Sequence, residues 1–161
     1  MVTLDTSTTP VDPAGEILYV GGDPDADDLD VYVADTGGGS RLLVDTAGRA
    51  MQAFWDASES RLLVTDRLAD GRTDYRLVEF DASGNLTSDT SLFIVAAESG
   101  SGAGSSSKGW HPDGDSFLYQ LSGSTCGGYP VYRRYFDGTE TVFLDPAVVG
   151  DGIVYTVDFH P

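Results

Sequence analysis

The chain has 161 residues, 40% of them hydrophobic and 11% aromatic, which is enough for one domain with a buried core and too apolar for a disordered coil. Its 26 acidic residues against 9 basic ones give a formal charge of -17, a field that repels phosphate backbones and anionic lipid. Nucleic acid and membrane surfaces are therefore poor partners, no apolar run approaches the roughly 18 to 20 residues that span a bilayer, and the first residues read as no signal peptide.

Taken in order, the chain reads as short strands separated by polar turns. Val2 to Leu4 is too short for a convincing strand, and Thr6 to Pro10 is linker-like. Strands are then predicted over Glu16 to Gly21, Leu29 to Asp35 and Arg41 to Asp45. A fuller unit follows, with strands at Arg49 to Trp55, Arg61 to Asp66, Tyr75 to Phe80 and Ser91 to Ala96. After the Gly/Ser stretch 99–107, read as a flexible loop, come Lys108 to His111, Ser116 to Leu121, Tyr129 to Phe136 and Glu140 to Asp145. A last strand is predicted over Ile153 to Phe159. These β-branched and aromatic runs sit between Gly, Asp and Ser, and none keeps a 3.6-residue apolar period, so the fold class is all-β.

Two turns recur in the same order. The first is Val11 to Glu16, Trp55 to Ser60 and Trp110 to Asp115, each followed by an apolar strand, and a further copy begins at Phe159-His160-Pro161. The second is Ala34 to Gly37, Phe80 to Gly84 and Phe136 to Gly138, where Asp caps the turn and Gly takes a positive φ. Recurrence of this kind marks a repeat architecture.

Trp110-His111-Pro112-Asp113-Gly114-Asp115, together with Leu29 to Asp35 as the strand that ends in Asp, resembles the β-propeller repeats of the TolB type, found also in the propellers of prolyl-oligopeptidase-like peptidases. The resemblance covers most of the chain, with His111 where Ser is usual; Val11 to Glu16 keeps Pro13 and Gly15, and Trp55 to Ser60 has neither Pro nor Gly. It implies blades of four antiparallel strands: blade one at about 11–48, blade two at about 49–98, blade three at about 108–147, and strand 153–159 as the first of a fourth. It also implies a non-catalytic scaffold for a protein, peptide or carbohydrate partner, located outside the cytoplasm. The alternative is a piece of the propeller of a larger enzyme that gates or holds substrate while catalysis sits elsewhere. A closed ring normally takes four to eight blades, so closure is expected through a second copy or through further blades.

Three constellations could carry chemistry. Asp23, Asp25 and Asp27 have the alternation of the first calcium-loop ligands, but Asp28, Val31 and Ala34 stand where that loop needs Gly and later ligands, so a solvated acidic loop is the favoured reading and calcium the weaker one. Cys126 is the only cysteine, which excludes an intrachain disulfide. His111 and His160 share one phase of the repeat, as do Trp55, Trp110 and Phe159, which points to structural positions alongside Pro112, Asp113 and Gly114; the aromatics are expected to pack between neighbouring blades. No Gly-x-Ser-x-Gly elbow is present, and no catalytic residue is assigned.

Overall fold

The computed structural model describes residues 16–23, 28–96, 104–122 and 130–145. Among them it has eleven strands and no helix: β1 (Ile17–Asp23), β2 (Asp28–Ala34), β3 (Ser40–Val44), β4 (Ala50–Trp55), β5 (Arg61–Arg67), β6 (Thr73–Phe80), β7 (Leu86–Val95), β8 (Gly104–Trp110), β9 (Ser116–Ser122), β10 (Val131–Tyr135) and β11 (Glu140–Leu144). They form three antiparallel meanders in strand order β1-β2-β3, β4-β5-β6-β7 and β8-β9-β10-β11. Consecutive strands pair because each turn is short enough to return the chain directly to its neighbour.

The core lies between the sheets, because β5 is buried on both faces and its alternate side chains serve two interfaces. Leu62 and Val64 join Val31 and Val44 of the first sheet, with Val78 and Phe80 behind them and Trp55 at the margin. Leu63 points the other way, into an aromatic cluster of Tyr75, Phe117 and Tyr119 that Phe93, Trp110 and Phe136 border. Tyr75 stacks on Phe93 at 4.6 Å and on Phe117 at 5.6 Å between ring centroids. The sheets are thus joined face to face in series, and among the described residues they do not close a ring.

The first repeated turn has one backbone geometry in both described copies, although their sequences share little. In Trp110–Ser116 the His111 N–H donates to the Ser116 carbonyl and the Gly114 N–H to the His111 carbonyl, each at 3.0 Å. In Trp55–Arg61 the Asp56 N–H donates to the Arg61 carbonyl at 2.9 Å and the Glu59 N–H to the Asp56 carbonyl at 3.0 Å. Glu59 therefore stands where Gly114 does, and both are left-handed, with φ of 55° and 76°. The Asp56 carboxylate holds the turn by accepting from Ser58, Ser60 and Arg61. Left-handed backbone strains a side-chain-bearing residue. Glu59→Gly is accordingly expected to raise the unfolding free energy by about 0.5–1 kcal/mol after the extra entropy of the unfolded chain, read as a higher urea midpoint; Glu59→Ala should give no such gain.

Three sequence expectations are corrected. Residues 104–107 belong to a strand, not to the loop 99–107: the pairing Gly104↔Ser122 to Ser107↔Tyr119 is made by backbone groups and needs no apolar side chains. β7 begins at Leu86, five residues before Ser91, for the same reason, since its polar half pairs with β6. The third copy of the second turn is displaced by two residues. Asp35 and Asp81 open their turns and accept from the N–H groups two and four residues ahead. In the third copy Tyr135 opens the turn, and Asp137 inside it accepts from Thr139. Residues 153–159, and with them the expected extra strand, lie outside the described residues.

Candidate functional site

The meander order sends connections alternately to two ends of the sheets. Among the described residues one end carries tight turns, 56–60 and 111–115 between first and second strands, and 35–39, 81–85 and 136–139 between the last two. These are closed by their own backbone and aspartates, and Arg61 Nη2 ties two of them together by donating to the Gly114 carbonyl at 2.7 Å. The opposite end carries 45–49 and 68–72, and the strands that flank 24–27, 96–103 and 123–130 end there. Connections are where binding residues concentrate on a rigid scaffold.

At that second end, where the first two sheets meet, lies a cleft of about 670 Å³ lined by Leu29, Met51, Leu68 and Ala69 with Arg49 and Arg67. Its first wall is the connection from β3 to β4, held in one conformation by Asp30. The Asp30 carboxylate accepts from the Thr46 N–H at 2.7 Å, the Thr46 hydroxyl at 2.8 Å and the Gly48 N–H at 3.2 Å. The Thr46 hydroxyl in turn accepts from the Arg49 N–H, and the Leu29 N–H donates to the Gly48 carbonyl at 3.0 Å. Ala47, also on this wall, is left-handed with φ of 54°. The second wall is 68–72, closed by the Leu68 N–H on the Arg72 carbonyl and the Gly71 N–H on the Leu68 carbonyl, each at 2.8 Å. The walls meet where the Arg67 N–H donates to the Arg49 carbonyl at 2.9 Å, so the two arginines stand opposite each other across adjacent strands.

Beside the cleft, Asp66 pairs with Arg76, which also holds Asp89. Burial raises the Asp66 carboxyl above the usual carboxylate range although Arg76 opposes the shift. Its Oδ1 is buried with no hydrogen-bond partner.

The residues singled out in the sequence are spread over both ends. Asp23 closes β1 opposite Asp28 at the cleft end, and Asp25 and Asp27 lie outside the described residues. Asp30, the last carboxylate of that acidic run, is committed to the Thr46 connection. Among the described residues no three His, Cys, Asp or Glu side chains group as a metal site. Pro112, Asp113 and Gly114 are at the tight-turn end, where Asp113 accepts from the Ser116 hydroxyl and pairs with Arg133. His111 is 2.8 Å from the Asp113 carboxylate, and burial, with the Arg133 charge, holds its pKa below the ordinary histidine value.

Trp55 and Trp110 are half-buried where the sheets meet, short of the full burial expected of core aromatics. Trp55 packs on Phe80 at 5.3 Å beside the first interface. Trp110 belongs to the second: its indole N–H donates to the Phe54 carbonyl of the neighbouring sheet at 2.8 Å, and the Arg61 guanidinium lies 5.0 Å over its ring. Phe159 is outside the described residues. The cleft arginines were not picked out in the sequence, and only one signal could have found them: Arg49 opens the predicted strand that runs to Trp55, and Arg67 directly follows the one that ends at Asp66.

No family model and no curated protein matches the chain. Among solved structures it is similar to TolB from Acinetobacter baumannii, with a TM-score of 0.56 and 17% identity over 81% of this chain. At that identity the likeness is one of fold: the sheets are blades of a TolB-like β-propeller. The chain spans 29% of the length of that TolB chain.

Proposed function

We propose that the chain is a non-catalytic propeller scaffold that holds a protein partner at the end where the cleft opens, in an extracytoplasmic setting. The observation that carries this reading is the asymmetry of the two ends. Among the described residues the turns at one end are sealed by their own hydrogen bonds, whereas the cleft at the sheet junction opens at the other. The TolB-like fold supports it, since a propeller offers a rigid ring of loops rather than a reactive centre. A peptide or carbohydrate partner would use the same end. A second reading places these blades in the propeller of a larger enzyme, and the span of 29% of the TolB chain fits either reading. In either case ring closure is supplied by further blades or by a second copy.

The test is positional. A photo-crosslinking residue placed at Ala69, on the cleft end, is expected to trap a discrete partner in an extract of the native cells. The same group at the exposed Ala82, in a tight turn at the other end, should not. Trapping only from Ala82, or from neither position, would argue against the reading.

A further inference from the structure

We infer that the cleft between the first two sheets is a binding site for a carboxylate borne on an apolar body, with Arg49 and Arg67 clasping the carboxylate. The inference deepens the scaffold reading and rests on it only for the choice of end. It begins with the accounting of the eight arginines. Arg41 pairs with Glu16 at 3.0 Å, Arg61 with Asp56 at 2.8 Å and Arg72 with Asp70 at 2.7 Å. Arg76 pairs with Asp66 and Asp89, Arg133 with Asp113, and Arg134 with Glu140 at 3.4 Å. In a chain with 26 acidic residues a guanidinium finds a carboxylate almost by default. The two that have none among the described residues are Arg49 and Arg67, and they line one cleft.

Their juxtaposition is unfavourable without an anion. Like charges directly opposite across an antiparallel pair destabilise it, and Arg49 and Arg67 are placed so by the hydrogen bond between their backbones. Asp66 offsets this only in part, since the Arg49 charge acts on its carboxyl but the carboxylate is paired with Arg76, and no carboxylate among the described residues lies within ion-pair distance of either arginine. Asp30 holds Thr46 and Gly48, Asp45 holds the Ala47 N–H, Asp66 holds Arg76, and Asp70 holds Arg72. Both arginines are exposed, so an incoming anion reaches them without displacing a side chain. Their backbones are already fixed, so the ordering cost of closing on a ligand falls on the two side chains alone.

The rest of the lining selects among anions. Leu29, Met51, Leu68 and Ala69 offer an apolar wall, and a cleft of about 670 Å³ falls in the range of small-ligand sites. A planar carboxylate matches the guanidinium fork, giving paired charge-assisted hydrogen bonds. A phosphate would carry a second negative charge into a field of -17 and would leave the apolar wall unfilled. A carboxylate next to an aliphatic group is the chemistry that satisfies both parts. It is presented by a peptide's free C-terminus or by a small N-acylated acid.

Calorimetric titration of the full chain tests this with four probes: N-acetyl-leucine, acetyl-Gly-Ala-Leu, and the C-terminal amide of each. Saturable binding of the acids is expected, at least about ten-fold tighter than their amides. Tighter binding of the tripeptide acid than of N-acetyl-leucine identifies a chain end as the source, and equal binding a small acid. Arg49→Gln and Arg67→Gln should each weaken the acids about ten-fold, and Arg→Lys at either should weaken them too, because the fork is lost. Melting temperatures should stay close to wild type, and should a variant unfold, the acid-against-amide comparison on the wild type still decides. Acids and amides binding alike, or no saturable binding of either acid up to about 10 mM, overturns the site. Persistence of the Ala69 crosslink in that event would show that the scaffold reading survives without it.

Discussion

Trp110→Ala is expected to cost about 3 kcal/mol of stability and to loosen the second and third sheets from each other. Large aromatic truncations in a core cost about 3 to 5 kcal/mol, and the lower end applies because Trp110 is half-buried. Three interactions disappear together: ring packing on Phe136 at 5.5 Å, the Arg61 guanidinium over the indole, and the hydrogen bond to the Phe54 carbonyl. Trp110→Phe separates them. It keeps most of the packing but removes the indole N–H from the Phe54 carbonyl, which stays in the β4–β5 ladder opposite Leu63, so about 1 kcal/mol of loss is expected from the hydrogen bond alone. Trp55, which packs on Phe80 and makes no such bond, should cost less on truncation than Trp110 does. Urea midpoints of the three variants check the order. Unfolding of Trp110→Ala at the wild-type midpoint would show that the interface is held elsewhere.

Much of this build is legible in the sequence, and the boundary of legibility has a physical cause. Strands such as β5 and β6 announce themselves because both faces are buried, so Leu62, Leu63, Val64 and Val78 leave an apolar record. The polar half of β7 and the Gly/Ser start of β8 leave none, since an edge strand is held by backbone bonds that every residue type supplies. The turn at Asp56 to Ser60 shows the converse. It lost Pro and Gly, yet the Asp56 carboxylate rebuilt the same hydrogen bonds, which no motif built on residue identity detects. The cleft was harder still. Arg49 and Arg67 lie 18 positions apart, and only the backbone bond between them, one position beyond the Ala50–Asp66 pair, shows that they line one cleft.

Arg76→Met is expected to be the most damaging single substitution, costing about 3 to 5 kcal/mol, as breaking one side of a buried ion pair does. The Asp66 side chain is 2% exposed and that of Arg76 16%, so the carboxylate left behind would have no access to water to replace its partner. Asp89, at 28%, can recover solvent and should contribute little to the loss. Burial already raises the Asp66 pKa against the opposition of Arg76, and without that opposition the folded-state value climbs further. Between the unfolded value of about 3.9 and the raised folded value, the native state holds a proton that the unfolded chain has released. Stability therefore falls as pH rises through the folded pKa and returns as pH falls. The deficit of Arg76→Met relative to wild type should be greatest above the folded value and should narrow as pH falls toward the unfolded value of about 3.9. Asp70, Asp81 and Asp137 act with the opposite sign, since backbone N–H groups of their turns hold them low, but they do so equally in both proteins and cancel in the difference. Adding Asp66→Leu to Arg76→Met removes the stranded carboxylate and should recover most of the lost stability, because an apolar pair of similar size is often as stable as a buried ion pair. A deficit that is flat with pH, or a double variant no better than Arg76→Met alone, would show that the cost comes from lost packing of the arginine stem and not from the uncompensated charge.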